Sequence, residues 1–208
     1  MLIETTINTI RHAHTQYNTE KRYAGTIDVP LNEKGVQDSC RAAEKLLPIM
    51  FDVAISSNMR RAVETAQILT GGRIPIVKCK LCAERNFGVM EGHTWDEVQK
   101  FDPPILFVEV GNDLHSVNPK GGESFEDLWY RAIKFNRFLF KNYTGRNVLV
   151  VSHGVFLQMF HGVLRGLNCI ESLGSYPANL ELASFRFSNN CLIGEERKKL
   201  IGQAEVNF

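Results

Sequence analysis

Short apolar runs recur along this 208-residue chain, and most are followed by polar residues and then a helical pattern. This alternation constrains the fold more than any other feature. A strand that feeds a helix and returns as a parallel neighbour gives an α/β layer architecture with a mostly parallel sheet flanked by helices in three layers. The periodicity predicts a strand near 3–10, a turn-rich loop through Pro30, and a helix near 33–48 with Val36, Cys40, Ala43 and Leu46-Leu47 on its apolar face. Val53-Ala54-Ile55 reads as a buried strand. Ser56, Ser57 and Asn58 offer caps for a helix through about Leu69, ended by Gly71-Gly72. Ile74–Lys80 reads as a strand and Thr94–Phe101 as a short helix. The stretch near 102–120 reads as irregular, a variable cap on a single 1–208 domain. Ser124–Asn142 has helical spacing through Phe125, Leu128, Trp129, Ala132, Phe135, Phe138 and Leu139. Asn147–Val151 is a strand, Val155–Leu164 a helix, and Leu182–Phe187 and Cys191–Gly194 are closing strands.

The polar residues at the strand ends matter because open α/β sheets bind ligands beyond the carboxyl ends of their strands. Arg11-His12 follows the first strand, Ser152-His153-Gly154 the strand at 147–151, and Ser56-Ser57 leads to Arg60-Arg61. Glu84 follows the strand at 74–80. Two histidines, arginines and a helix N-terminus with free N–H groups make a trap for a tetrahedral dianion. No P-loop and no carboxylate cluster for magnesium is visible, so phosphoryl chemistry here needs a protein nucleophile, for which histidine qualifies. Glu84 is a candidate general acid. His93, His115 and His161 have no motif support and read as surface or packing residues.

A formal charge of +1 gives no electrostatic case for a nucleic-acid or membrane partner. The first residues lack the pattern of a signal peptide, and five scattered cysteines suggest reduced thiols in a cytoplasm. Cys79 and Cys82 form a C-x-x-C, but in a strand they face opposite sides and read as two buried thiols.

In combination these residues resemble the histidine phosphatase superfamily, phosphoglycerate-mutase-like branch. Its R-H-G-E-S/T-x-x-N is similar to Arg11-His12-Ala13-His14-Thr15-Gln16-Tyr17-Asn18, and its S-S-D-L-x-R-A-x-x-T-A to Ser56 through Ala66, which selects Arg61 over Arg60. Asp28-Val29-Pro30-Leu31, Gly122-Glu123-Ser124 and Val151-Ser152-His153-Gly154 follow its pattern, and Leu81 to Gly92 places Glu84 at the acid position. The resemblance implies His12 as the phosphoryl-carrying nucleophile and Glu84 as the acid. It implies Arg11, Asn18, Arg61 and His153 as holders of phosphoryl oxygens, His153 charged, with Gly25 and Gly154 near the pocket. It implies no cofactor and no metal. Two positions depart from the family pattern: Ala13 for glycine, and His14 for an acidic residue, where an imidazole would alter the charge of the pocket or the orientation of His12.

The implied activity is hydrolysis of a small phosphorylated metabolite. The stretch Tyr23 to Leu31 resembles small-molecule phosphatases such as α-ribazole and broad-specificity phosphatases. A phosphoglycerate-type mutase is the alternative, disfavoured because the mutases carry extra capping segments that 208 residues leave little room for. A metal-dependent hydrolase using His12 and His14 on one strand face is a second alternative, and a non-catalytic binder of phosphorylated ligands a third. A homodimer is compatible with the sequence.

Overall fold

The computed structural model describes residues 3–111, 113–117 and 119–202. Its main sheet has six strands: β1 (Glu4–Arg11), β2 (Val53–Ser56), β3 (Ile76–Lys78), β6 (Asn147–Ser152), β7 (Glu181–Ser188) and β8 (Cys191–Lys199). Their order is β3-β2-β6-β1-β7-β8. The first four run parallel, β7 is antiparallel to β1, and β8 is antiparallel to β7. The mostly parallel, helix-flanked sheet expected from the alternation is therefore present.

Two apolar layers fill the two faces of the sheet. On one face Ile7, Ile55, Val148, Val150 and Phe185 pack with Phe135 of α5 (Phe125–Tyr143) and Phe156 and Phe160 of α6 (Gly154–Arg165). On the other, Ile10, Ala54, Leu149 and Val151 pack with Ala42 and Leu46 of α2 (Glu33–Leu46) and Ala62, Ala66 and Leu69 of α3 (Arg60–Thr70). Alternate residues of each strand supply the two layers, as the pleat requires. The strands inside the sheet therefore read as continuous apolar runs, as parallel strands buried on both faces do.

Several expectations need correction. The buried face of α2 is Gly35, Asp38, Ser39, Ala42 and Leu46, whereas Val36, Cys40 and Leu47 are exposed. Gly35 faces inward because the helix start packs on the loop after β1, where a Cβ would lie 2.1 Å from the His14 carbonyl oxygen. Buried Asp38 is neutralised by ion pairs with Lys34 and Arg41. Met59 is the residue before α3, and none of Ser56, Ser57 and Asn58 is its N-cap. Asp28 Oδ1 instead accepts the Arg60 N–H at 2.6 Å. The predicted strand at 74–80 is only Ile76–Lys78, and Lys80–Cys82 forms a 3-10 turn. The opposite-faces reading of the C-x-x-C therefore fails: Cys82 is buried, but Cys79 is half-buried. The helix expected at 94–101 shortens to α4 (Trp95–Val98), capped by a Thr94–Glu97 capping box. The stretch near 102–120, read as irregular, contains a separate two-stranded hairpin, β4 (Phe107–Val110) and β5 (Asp113–Ser116). Residues 112 and 118 of that stretch lie outside the described residues. A four-residue helix, α1 (Gln16–Thr19), follows the loop after β1.

Candidate active site

Register between β1 and β6 brings the first two strand ends together. Arg11 pairs with Ser152, and the ladder continues one step further through the His12 N–H to the Ser152 carbonyl at 2.8 Å. The two imidazoles that follow meet edge to face, with centroids 5.1 Å apart. Arg61 enters from α3. With Thr65 one turn later it lies on the buried face of the helix, while Arg60 and Glu64 pair at 2.7 Å on the outside. The Thr65 hydroxyl accepts the Ala13 N–H at 3.1 Å and ties α3 to the loop carrying His12.

Local bonds fix the tautomers. His12 Nδ1 meets the Ala13 carbonyl at 2.7 Å, which places the proton on Nδ1 and leaves the Nε2 lone pair available. Burial, then Arg61 and Arg11, hold the His12 ring well below the usual imidazole range, so it is neutral. Arg61 Nε donates to His153 Nδ1 at 3.2 Å, so the His153 proton sits on Nε2, against Ser57 Oγ at 2.8 Å. Burial and Arg61 hold His153 neutral too, which corrects the charged form expected from the sequence. The remaining nitrogens of Arg61 donate to the carbonyls of Ile27 and Gly25, both at 2.8 Å. Arg11 donates to the Pro177 carbonyl at 3.1 Å and lies over the Tyr176 ring, 4.9 Å from its centre.

Glu84 sits elsewhere than a strand end, just past the 3-10 turn. Its carboxylate accepts the Arg85 and Phe156 N–H groups at 2.8 and 3.0 Å and the Val155 N–H at 3.3 Å. The start of α6, expected to hold the substrate's anion, is thus occupied by the protein's own carboxylate, where the helix dipole favours it. Arg131 on α5 locks the loop that carries Glu84. It donates to the carbonyls of Leu81, Ala83 and Glu84 and forms a two-pronged ion pair with Glu123, at 2.8 and 2.6 Å.

Asn18 Oδ1 accepts from the Thr15 amide and hydroxyl, leaving its amide nitrogen for a ligand. Gly25 has φ +48°, and a Cβ there would strike Glu91 Oε1 at 2.0 Å. Gly154 is small for a different reason than ligand approach, because a Cβ would lie 2.0 Å from the Tyr176 hydroxyl.

A cleft of about 400 Å³ collects Arg11, His12, Asn18, Gly25, Arg61 and Glu84. His153 lies behind His12, fully buried. The cleft also contains residues that sequence reasoning missed: Tyr176, Arg85 and His115, the last read as surface or packing. Tyr176 belongs to the loop before β7 and His115 to the hairpin, and neither carries a sequence signal. Arg131 was detectable only through its partner in the Gly-Glu-Ser motif. His14 does not line the cleft. Its ring is half-buried, and burial, then Lys34 on α2 and Arg11, hold it below the usual imidazole range, with Asp38 opposing them. Residues 12–14 are not strand, so the one-face pairing of His12 and His14 loses its geometric premise. Among the described residues no group of three or more His, Cys, Asp or Glu side chains is placed to hold a metal ion. Also among them, no helix is long and apolar enough to cross a membrane.

Residues 7–191 match the family model described as histidine phosphatase superfamily, branch 1. A metal-independent phosphoserine phosphatase of Arabidopsis thaliana is 32% identical over 168 residues, covering 78% of this chain and 67% of that protein. A 2,3-bisphosphoglycerate-dependent phosphoglycerate mutase of Rhizobium etli is 28% identical over 207 residues, covering 95% and 98%. That mutase is matched over nearly its whole length, so the length argument against a mutase does not hold. The crystal structure of the α-ribazole phosphatase from Shigella flexneri superposes with a TM-score of 0.81 at 21% identity, covering 96% and 100%, a likeness of fold.

Proposed function

The chain belongs to the histidine phosphatase superfamily, branch 1, and on that footing we propose that it is a metal-independent phosphomonoesterase acting on a small phosphorylated metabolite. The observation that carries this reading is His12: neutral, with its proton committed to the Ala13 carbonyl, in a cleft that Arg11 and Arg61 also line. In the first step Nε2 attacks phosphorus and the bond to the leaving oxygen breaks. The leaving oxygen takes its proton by way of the Glu84 carboxyl group. In the second step water attacks phosphorus, its proton passes to Glu84, and the P–N bond breaks to release inorganic phosphate. Arg11, Arg61 and the Asn18 amide hold the phosphoryl oxygens, His153 orients Arg61, Gly25 shapes a wall, and Gly154 makes room for Tyr176. Phosphoryl transfer of this kind is mostly positioning and charge stabilisation, which two buried arginines supply. The whole chain acts as one unit with the hairpin as its cap, and its free thiols fit a cytoplasmic setting.

A mutase is the second reading, favoured by the identity with the Rhizobium protein. One experiment separates the two. Brief exposure to 32P-labelled substrate leaves acid-labile, base-stable label on His12, and none on His12→Ala. Chased with water, the label leaves as inorganic phosphate; a mutase transfers it instead to added 2- or 3-phosphoglycerate. Label on a serine or aspartate would overturn both.

A further inference from the structure

The two peptide planes that flank His12 are each gripped at both ends. In the plane before it, the Arg11 carbonyl accepts the Leu180 N–H at 3.0 Å and the His12 N–H donates to the Ser152 carbonyl at 2.8 Å. In the plane after it, the Ala13 N–H donates to the Thr65 hydroxyl at 3.1 Å, and the His12 carbonyl accepts the Asn179 side-chain amide at 2.6 Å. A residue has only two soft backbone torsions, and its flanking planes set both. These partners therefore fix the backbone of His12. Asn179 and Leu180 both come from the turn before β7.

That turn is strained. β1 and β7 pair antiparallel as far as Ile10 and Leu182, and there the ladder breaks off; Arg11 instead makes a parallel bridge with Asn179. Buried Leu180 sits at φ +54°, a left-handed conformation that a bulky side chain rarely takes. Strain of this sort persists where the surroundings hold it in place, and it gathers at functional sites. The same turn grips the Arg11 guanidinium through the Pro177 carbonyl, at 3.1 Å. Asn179 itself is half-buried and does not line the cleft, so it reaches the reaction only through His12. The bond from His12 Nδ1 to the Ala13 carbonyl spans the plane that Asn179 holds, and it closes only while that plane keeps its angle. We infer that Asn179 is a positioning residue for the nucleophile: it holds the peptide plane between His12 and Ala13, and so keeps the ring proton on Nδ1 and the ring in the cleft. This rests on the phosphomonoesterase reading above, in which His12 is the attacking group.

Asn179→Leu keeps the size and removes the donor without adding charge, and Asn179→Ala guards against a misfit. On 4-nitrophenyl phosphate both should lower kcat by roughly 10- to 100-fold while the inhibition constant of inorganic phosphate stays within about twofold, the split expected when aim is lost and the arginines are kept. Long-range 1H–15N spectra read the same hold without turnover: the wild-type ring is wholly the Nδ1–H form, and in both variants the Nε2–H form appears beside it. An unchanged kcat in an active chain, or a ring still wholly Nδ1–H in both variants, overturns the positioning role. So does a fall in kcat matched by an equal weakening of phosphate binding, which marks Asn179 as support for the pocket wall alone. A wild-type chain that turns over no phosphomonoester, with the tautomer shift present in the variants, sinks the hydrolase and spares the hold on His12.

Discussion

At the scale of single residues the site depends on where protons sit. Burial and two guanidinium groups keep His12 neutral, so its reactivity does not wait for an ordinary imidazole to lose a proton near pH 6.5. Long-range 1H–15N spectra should show the His12 ring neutral at pH 5.5, with the proton on Nδ1; a midpoint near 6.5 contradicts the geometry. Arg61 both lines the cleft and donates to His153, and on the proposed function Arg61→Ala should lower kcat/KM on 4-nitrophenyl phosphate by roughly 10²–10³-fold. Arg11, His12, Arg61, Glu84 and His153 could be named from sequence because each sits in a short local motif. Tyr176, Arg85 and His115 could not. Their importance comes from what distant segments fold against, and the reading of His153 as charged failed because burial is a property of the whole surround.

At the scale of elements, α6 begins against the loop before β7, and the two fit only through a missing side chain. Gly154→Ala should cost about 1–3 kcal/mol in urea unfolding, the usual penalty for overpacking, because its Cβ overlaps the Tyr176 hydroxyl. In a Tyr176→Ala background the same substitution should cost far less, and a full cost there refutes the clash as cause. The 3-10 turn at Lys80–Cys82 has its own signature. A hydrogen bond with Cys82 lowers the Cys79 thiol to about 6, whereas burial raises Cys82. Iodoacetamide should therefore modify Cys79 with a rate that climbs through pH 6 and levels off above it, leaving Cys82 unmodified, as peptide mapping would report. Long amphipathic helices such as α5 were legible from spacing. The hairpin was not, because its strands are four residues each and expose Val108 and Leu114, which hides the in-out alternation.

At the scale of the whole molecule, buried neutral histidines tie stability to pH. His161, held at 2.7 Å from Thr9 Oγ1, is lowered to about 3 by burial, with Arg197 and Arg165 adding to the effect. A ring harder to protonate when folded takes up a proton on unfolding. The folded state is then unaffected above pH 6.5 and loses stability as pH falls below it, by about 1.4 kcal/mol per pH unit for each such ring. His12 and His153 act in the same direction. Urea midpoints measured from pH 7.5 to 5 should fall on the acid side, and His161→Gln should flatten the slope. The fold class was legible from the alternation of runs, but the strand order was not, since pairing between β1 and β6 joins residues about 140 positions apart. That pairing has a further consequence. The two histidines take their spacing from backbone rungs in the centre of the main sheet, whereas the hairpin forms a sheet of its own. The hairpin can therefore be redrawn without moving either imidazole off the rungs that space the pair.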